Sequence, residues 1–154
     1  MEIERKFTVT TLPDLTDCSF HILEQGYLSV DPVVRVRRED ETYYLTYKGK
    51  GLLVREEYNL PLNKQSYEHL LSKADGIILR KKRFLIPYSD RTIELDIFDP
   101  PYKGLIIAEV EFDSEEAAGA FLPPSWFHEE VTYDRRYHNS NLSRGLSPLP
   151  ATSV

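Results

Sequence analysis

The stretch RTIELDIF, residues 91–98, places charged and apolar side chains at alternate positions. Glu94 and Asp96 fall on one face of such a segment, and isoleucine and leucine side chains fall on the other. Because successive side chains of a β-strand point to opposite sides, this period of two predicts a strand with one charged face and one apolar face. The stretch LIIAEVEF, residues 105–112, repeats the pattern with two glutamates.

The same alternation recurs along most of the chain, in short segments separated by Pro, Gly, Asn and Asp. This arrangement is typical of an antiparallel sheet, so the predicted fold class is α+β, mainly β. The predicted strands are 2–8, 22–30, 33–39, 43–50, 54–62, 77–87, 91–98 and 105–112. The segment 130–133 fits either a further short strand or the end of a loop.

Two helices interrupt the predicted strands. Apolar residues at helical spacing follow Asn63, a residue type that caps helix N-termini, and Gly76 is placed to end this helix. A second helix is expected to begin at Asp113, whose side chain caps it while Glu116 reaches back to the cap. Two prolines, starting at Pro123, end that helix.

Each charged face carries mainly one sign of charge. One strand offers Arg35 and Arg37, whereas another offers Glu94 and Asp96. A face that only keeps a protein in solution usually mixes both signs, because like charges at i and i+2 lie about 7 Å apart and repel each other. The alternation is compatible with a solvated outer face on a one-sided sheet and with a closed barrel that has its charges inside.

The barrel interpretation gathers both signs of charge around one lumen, which in an eight-stranded barrel holds side chains or one small ligand. Converging Lys and Arg side chains suit a polyphosphate, and carboxylates suit a hard divalent cation such as Mg²⁺ or Mn²⁺. The predicted lumenal cations are Lys6, Arg35, Arg37, Lys48, Lys81 and Arg83. The predicted lumenal acids are Glu2, Glu4, Glu57, Glu94, Asp96, Glu109 and Glu111.

The N-terminal residues Glu2, Glu4 and Lys6 form an E-x-E-x-K motif, and from this point the sequence resembles the CYTH superfamily of triphosphate tunnel metalloenzymes. Further motifs follow in the family's order. They are Arg35 and Arg37 in VRVRR, Thr46 and Lys48 in LTYKG, Arg55 and Glu57 in REEYN, the pair Lys81 and Arg83, Glu94 and Asp96 in ELD, Glu109 and Glu111 in EVE, and the closing segment EVTYDRRYHNSNL from Glu130. The resemblance covers residues 2 to about 144.

The resemblance implies a closed eight-stranded antiparallel β-barrel, or tunnel, with flanking helices. The implied substrate-binding residues are Lys6, Arg35, Arg37, Lys48, Lys81, Arg83 and Tyr27, the last matching a family tyrosine near one tunnel mouth. The implied metal ligands are Glu2, Glu4 and Glu111 for a first ion, with Glu57, Glu94, Asp96 and Glu109 as further candidates. The implied catalytic residues are Glu57, Asp96, Glu109 and Lys81. Asn59 departs from the family pattern R-x-E-Y-E and removes a carboxylate where a second ion would bind.

The implied activity is metal-dependent hydrolysis of inorganic triphosphate by two-metal-type water attack, with ATP or thiamine triphosphate as further substrates. Two alternatives stay open. One is a class IV adenylate cyclase, in which the ribose 3′-hydroxyl attacks, and the other is a polyphosphate-binding module that does not catalyse. The intact set of acids favours catalysis, since binding alone would not need all of them. The oligomeric state stays open, a homodimer included.

Length and composition predict a single domain, residues 1–145, followed by a flexible tail, residues 146–154, rich in Pro and Ser. The 154 residues carry a formal charge of -6, which by itself argues against nucleic-acid and anionic-membrane partners. Cys18 is the one cysteine of the sequence, so an internal disulfide is excluded. The charged N-terminus has no apolar signal segment, and a cytoplasmic location is expected.

Overall fold

The computed structural model describes residues 1–146 and Pro148, and the described chain forms one antiparallel sheet of nine strands. The strands are β1 Glu2–Thr8, β2 Ser19–Val30, β3 Val33–Glu39, β4 Thr42–Lys48, β5 Val54–Arg55, β6 Glu57–Leu62, β7 Asp75–Tyr88, β8 Arg91–Phe98 and β9 Ile106–Glu111. Their order across the sheet is β5-β1-β9-β8-β7-β2-β3-β4-β6. Of the predicted tail, 146–154, all residues but Leu146 and Pro148 lie outside the described part.

The sheet closes on itself through Glu56. This residue is the single link between β5 and β6, which are the two end strands of the sheet. β5 pairs with β1 and β6 pairs with β4, so one stretch of chain bridges both edges. The predicted antiparallel barrel is confirmed as a nearly closed one, but it has nine strands instead of eight, because the predicted strand 54–62 changes partner at Glu56 and is two strands.

The register of the strands aligns their charged faces toward the lumen. Glu4 pairs with Glu111 and Lys6 with Glu109 between β1 and β9, while Arg83 pairs with Asp96 between β7 and β8. The apolar faces pack outward. On β8 and β9 the outward side chains form a buried cluster that is covered by the helix after β9, and on β3 and β4 they are covered by the helix after β6.

The helix after β6 is α1, Lys64–Leu71. The predicted cap is confirmed, since the Ser66 N–H donates to Asn63 Oδ1 at 2.7 Å. The predicted end at Gly76 is wrong, because the helix already stops at Leu71. Gly76 instead lies in β7 with φ of 71°, where a Cβ atom would collide with the backbone carbonyl of Ser143. The glycine is needed there for close approach of the C-terminal segment.

The helix after β9 is α2, Glu115–Ala120, and its cap is Ser114, so the prediction of Asp113 as the cap is wrong by one residue. Ser114 has the extended backbone of a cap and its Oγ accepts from the Ala117 N–H at 3.0 Å. The segment 130–133 is not a strand of the sheet, although Glu130 forms an isolated bridge with Phe7.

A C-terminal pair of helices, which the sequence did not predict, closes one end of the barrel. A 3-10 helix, Arg135–Tyr137, leads into α3, Asn139–Ser143. The fully buried Leu142 of α3 packs in a cluster with Tyr27 and Leu79 of the barrel. None of the helices in the described residues is long and apolar enough to cross a membrane.

Candidate active site

A cavity of about 540 Å³ opens inside the barrel. All but two of the residues predicted from the sequence to act in catalysis, substrate binding or metal binding lie on its wall. Those on the wall are Glu2, Glu4, Lys6, Tyr27, Arg35, Arg37, Lys48, Glu57, Arg83, Glu94, Glu109 and Glu111. The barrel therefore gathers nearly the whole predicted set around one space, although its members are spread over most of the chain.

Lys81 and Asp96 are the two predicted residues that the structure does not bring to the cavity wall. The Lys81 ammonium lies 2.6 Å from an Asp96 oxygen, and both side chains are at most 1% exposed. Arg83 donates two hydrogen bonds to the same carboxylate, of 2.8 and 2.9 Å. Burial raises the pKa of Asp96, but Arg83 and Lys81 outweigh burial and lower it. The three residues form a buried ionic cluster of which only Arg83 reaches the cavity.

Three carboxylates meet on the wall beside β1. Glu2, Glu4 and Glu111 each offer one oxygen, and these three oxygens lie within 4.8 Å of one another. Burial and the hydrogen bond to Glu57 raise the pKa of Glu2 to about 7, while burial and the charge of Glu109 raise the pKa of Glu4 to about 8. Carboxylates this close repel each other unless a cation lies among them. Hard oxygen donors are the ligands that Mg²⁺ and Mn²⁺ prefer, so the donor set fits the expected ion.

Lys48 joins this acidic cluster to Glu57. Its ammonium lies 2.9 Å from Glu2 Oε1 and 3.3 Å from Glu57 Oε2. Asn59 donates a hydrogen bond of 2.9 Å to Glu57 Oε1. Burial raises the pKa of Glu57, but the hydrogen bond from Glu2 and the charge of Lys48 outweigh it and lower the pKa to about 2. Glu57 is therefore an ionised carboxylate held in place from three sides.

Glu109 lies between two cations. Its oxygens are 3.7 Å from the Lys6 ammonium and 3.8 Å from an Arg83 guanidinium nitrogen. Burial raises the pKa of Glu109, but Lys6 and Arg83 outweigh burial and lower it. Glu94 accepts from Arg83 Nη1 at 2.8 Å, although burial raises its pKa. These acids hold the cations of the wall in position.

The C-terminal segment contributes three wall residues that the sequence interpretation did not assign to the site: His138, Asn139 and Ser140. Asn139 Oδ1 accepts from the Lys81 ammonium at 3.2 Å. Burial, and then the charge of Lys6, lower the pKa of His138 to about 4, so this imidazole is neutral at pH 7. The closing motif RYHNSNL pointed to this segment, but no periodic pattern in it indicated that it turns back onto the barrel.

Comparison with known proteins gives a consistent result over nearly the whole chain. The sequence pattern of the CYTH domain family matches residues 1–123. An inorganic triphosphatase of Nitrosomonas europaea is 41% identical over 149 residues, which is 94% of this chain and 98% of that protein. An inorganic triphosphatase of Acetivibrio thermocellus is 35% identical, with 92% of each chain covered. A crystal structure of an inorganic triphosphatase superposes with a TM-score of 0.71 at 37% identity, covering 98% of this chain and 97% of that one.

Proposed function

The chain belongs to the CYTH domain family, and from that premise we propose that it is a metal-dependent hydrolase of inorganic triphosphate. The observation that carries the proposal is one cavity whose wall combines the Glu2, Glu4 and Glu111 cluster with six Lys and Arg side chains. A polyphosphate needs such cations for its oxygens, and a carboxylate cluster beside them suits a divalent ion that also contacts phosphate.

Five of the six cations of the wall, those that the sequence predicted, bind the phosphate chain. They are Lys6, Arg35, Arg37, Lys48 and Arg83. Arginine forks take phosphate oxygens in pairs, whereas lysines act as point charges. Lys81 has a different role from the one that the family resemblance implies. It is completely enclosed and, with Asp96, fixes Arg83, so it supports binding from behind the wall.

Glu2, Glu4 and Glu111 hold the divalent cation, Mg²⁺ or Mn²⁺. When bound, the ion neutralises phosphate charge and polarises phosphorus for attack by water. Because the pKa values of Glu2 and Glu4 are raised to about 7 and about 8, the ion competes with protons for these two residues near neutral pH.

Glu57 orients the attacking water. It is ionised, it lies on the cavity wall, and Lys48 and Asn59 fix its direction. Lys48 and Asn59 both help to lower the pKa of Glu57, so Glu57 accepts a hydrogen bond from water but is a weak base. In the reaction, the water oxygen forms a bond to a terminal phosphorus, one phosphoanhydride bond breaks, and phosphate and pyrophosphate leave, while the protons of the water pass to the phosphate products or to solvent.

A substrate panel tests the proposal against its alternatives. The protein, with any tag kept away from Glu2, is incubated with Mg²⁺ or Mn²⁺ and with tripolyphosphate, ATP or thiamine triphosphate. Faster turnover of tripolyphosphate than of the two organic triphosphates is expected. Cyclic AMP from ATP would instead identify a cyclase, and tight binding of every compound without any product would identify a binding module.

A further inference from the structure

Arg35 and Arg37 differ from Lys6, Lys48 and Arg83 in the partners that hold them, whereas the sixth cation of the wall, Arg55, donates to the backbone carbonyl of Gly49 at 3.1 Å. Lys6, Lys48 and Arg83 each lie within 4.0 Å of at least one carboxylate oxygen. Among the described residues, no carboxylate oxygen lies within that distance of Arg35 or Arg37. Their hydrogen-bond partners are neutral side chains. This pair therefore presents positive charge that the protein itself does not cancel.

Gln25, on β2, is the neutral partner of Arg37. The two residues are directly opposite in the register of β2 and β3, and Arg37 Nε donates to Gln25 Oε1 at 2.8 Å. Gln25 is fully buried and lies behind the cavity wall, whereas Arg37 is part of the wall. An amide oxygen fixes the direction of a guanidinium without cancelling its charge. A carboxylate in the same place would do both.

The surroundings of Arg35 and Arg37 lack hydrogen-bond acceptors as well as negative charge. Gln25 Nε2 and Arg35 Nε are buried and have no hydrogen-bond partner among the described residues. Burial, and then the charges of Arg35 and Arg83, lower the pKa of Arg37. A buried cation without a counter-charge is costly. An anion that entered the cavity beside Arg37 would relieve this cost.

We propose that Gln25 is a positioning residue that directs Arg37 toward the bound phosphate chain while leaving the whole positive charge of Arg37 available to it. The inference rests on the proposed function, because it concerns the triphosphate of the same cavity. The inference makes one specific prediction: a negative charge at position 25 weakens tripolyphosphate binding. A residue that merely holds Arg37 in place would work equally well as a carboxylate.

Two substitutions of similar size separate these roles. Gln25→Glu keeps the acceptor and adds a negative charge, whereas Gln25→Met removes the acceptor and adds no charge. We expect Gln25→Glu to weaken tripolyphosphate binding by about tenfold or more, and Gln25→Met to weaken it less. Binding is compared as the KM for tripolyphosphate at about pH 8 with saturating Mg²⁺, so that the metal site is filled in every variant. Gln65→Glu, the same substitution at an exposed position of α1, is the matched control and leaves binding unchanged.

The test depends on which of the two variants binds tripolyphosphate more weakly. If Gln25→Glu binds as tightly as the wild type, or more tightly than Gln25→Met, the charge-sparing role is wrong. Should Gln25→Glu not fold in a thermal melt, a double-mutant cycle replaces it: Gln25→Met must lose its effect when Arg37→Leu is already present, and a persisting effect overturns the inference. A wild-type protein that turns over no tripolyphosphate with Mg²⁺ present would instead reject the proposed function.

Discussion

Lys81 and Lys82 are neighbours in the sequence with opposite environments. The Lys81 side chain is 0% exposed and ion-paired to Asp96, whereas Lys82 is exposed on the outer face of β7. Removing one partner from a buried ion pair typically costs about 3–5 kcal/mol. We expect Lys81→Met to lower the free energy of unfolding by about 3 kcal/mol, the lower end of that range, because Asp96 keeps its hydrogen bonds to Arg83.

Lys82→Met is the matched control, and it should change the free energy of unfolding by less than about 0.5 kcal/mol. Denaturant unfolding of both variants gives the comparison. Equal stability of the two variants would show that Lys81 is not part of a buried cluster. The alternation of the sequence predicted that Lys81 and Lys6 both lie on a charged face. It could not predict how far along the barrel each side chain lies, because that position depends on strand register.

Protons on Glu2 and Glu4 should make metal binding depend on pH. Their pKa values are raised to about 7 and about 8, so the metal must displace protons that the cluster holds below these values. Because binding releases protons, metal affinity must rise with pH. We expect the gain in melting temperature on adding excess Mg²⁺ to grow between about pH 6 and about pH 8.5 and then to level off.

Glu4→Gln should lose most of this gain in melting temperature at every pH. Glu56→Gln, at an exposed position next to Glu57 in the sequence and outside the cavity wall, removes the same charge and should keep the gain. A full Mg²⁺ effect in Glu4→Gln, or an effect that shrinks as the pH rises, would be incompatible with metal binding at these three carboxylates.

At the scale of elements, Gly26 sets how closely α1 packs on β2. A Cβ atom at this position would lie 2.8 Å from Ala74 Cβ and 2.9 Å from Leu71 Cδ1. Overpacking of this kind typically costs about 1–3 kcal/mol, and we expect Gly26→Ala to lower the free energy of unfolding by that amount. Gly119→Ala, in α2 with open space around it, should be neutral or stabilise by up to about 1 kcal/mol. Thermal melts in which both variants lower the melting temperature by the same amount would contradict this packing.

Local patterns predicted some helix boundaries and not others. Asn63 caps α1 as predicted, because a cap depends on its own side chain and the next few backbone N–H groups. Gly76 was misassigned because its purpose is non-local. It makes room for the carbonyl of Ser143, almost seventy residues further along the chain. α3 was missed for a related reason, since it is only five residues long and is stabilised by packing onto the barrel.

At the scale of the whole molecule, the formal charge of -6 conceals a cavity with both signs of charge. Of the two interpretations that the alternation allowed, the barrel with inward charged faces is the one observed, and ion pairs such as Lys48 with Glu2 reduce the cost of burying these charges. The sequence could not predict the break at Glu56 or the closed end of the barrel, because both depend on contacts between distant segments. A metal among the carboxylates would complete the charge balance that a bound polyphosphate requires.

The most direct test of the account is a ³¹P NMR time course of tripolyphosphate with the protein and Mg²⁺. We expect the tripolyphosphate resonances to be replaced by those of phosphate and pyrophosphate in equal amounts. We also expect Glu4→Gln to leave the spectrum unchanged over the same period, while Glu56→Gln matches the wild type. Intact tripolyphosphate after incubation with the folded wild-type protein, or equal rates for Glu4→Gln and wild type, would contradict the proposed function.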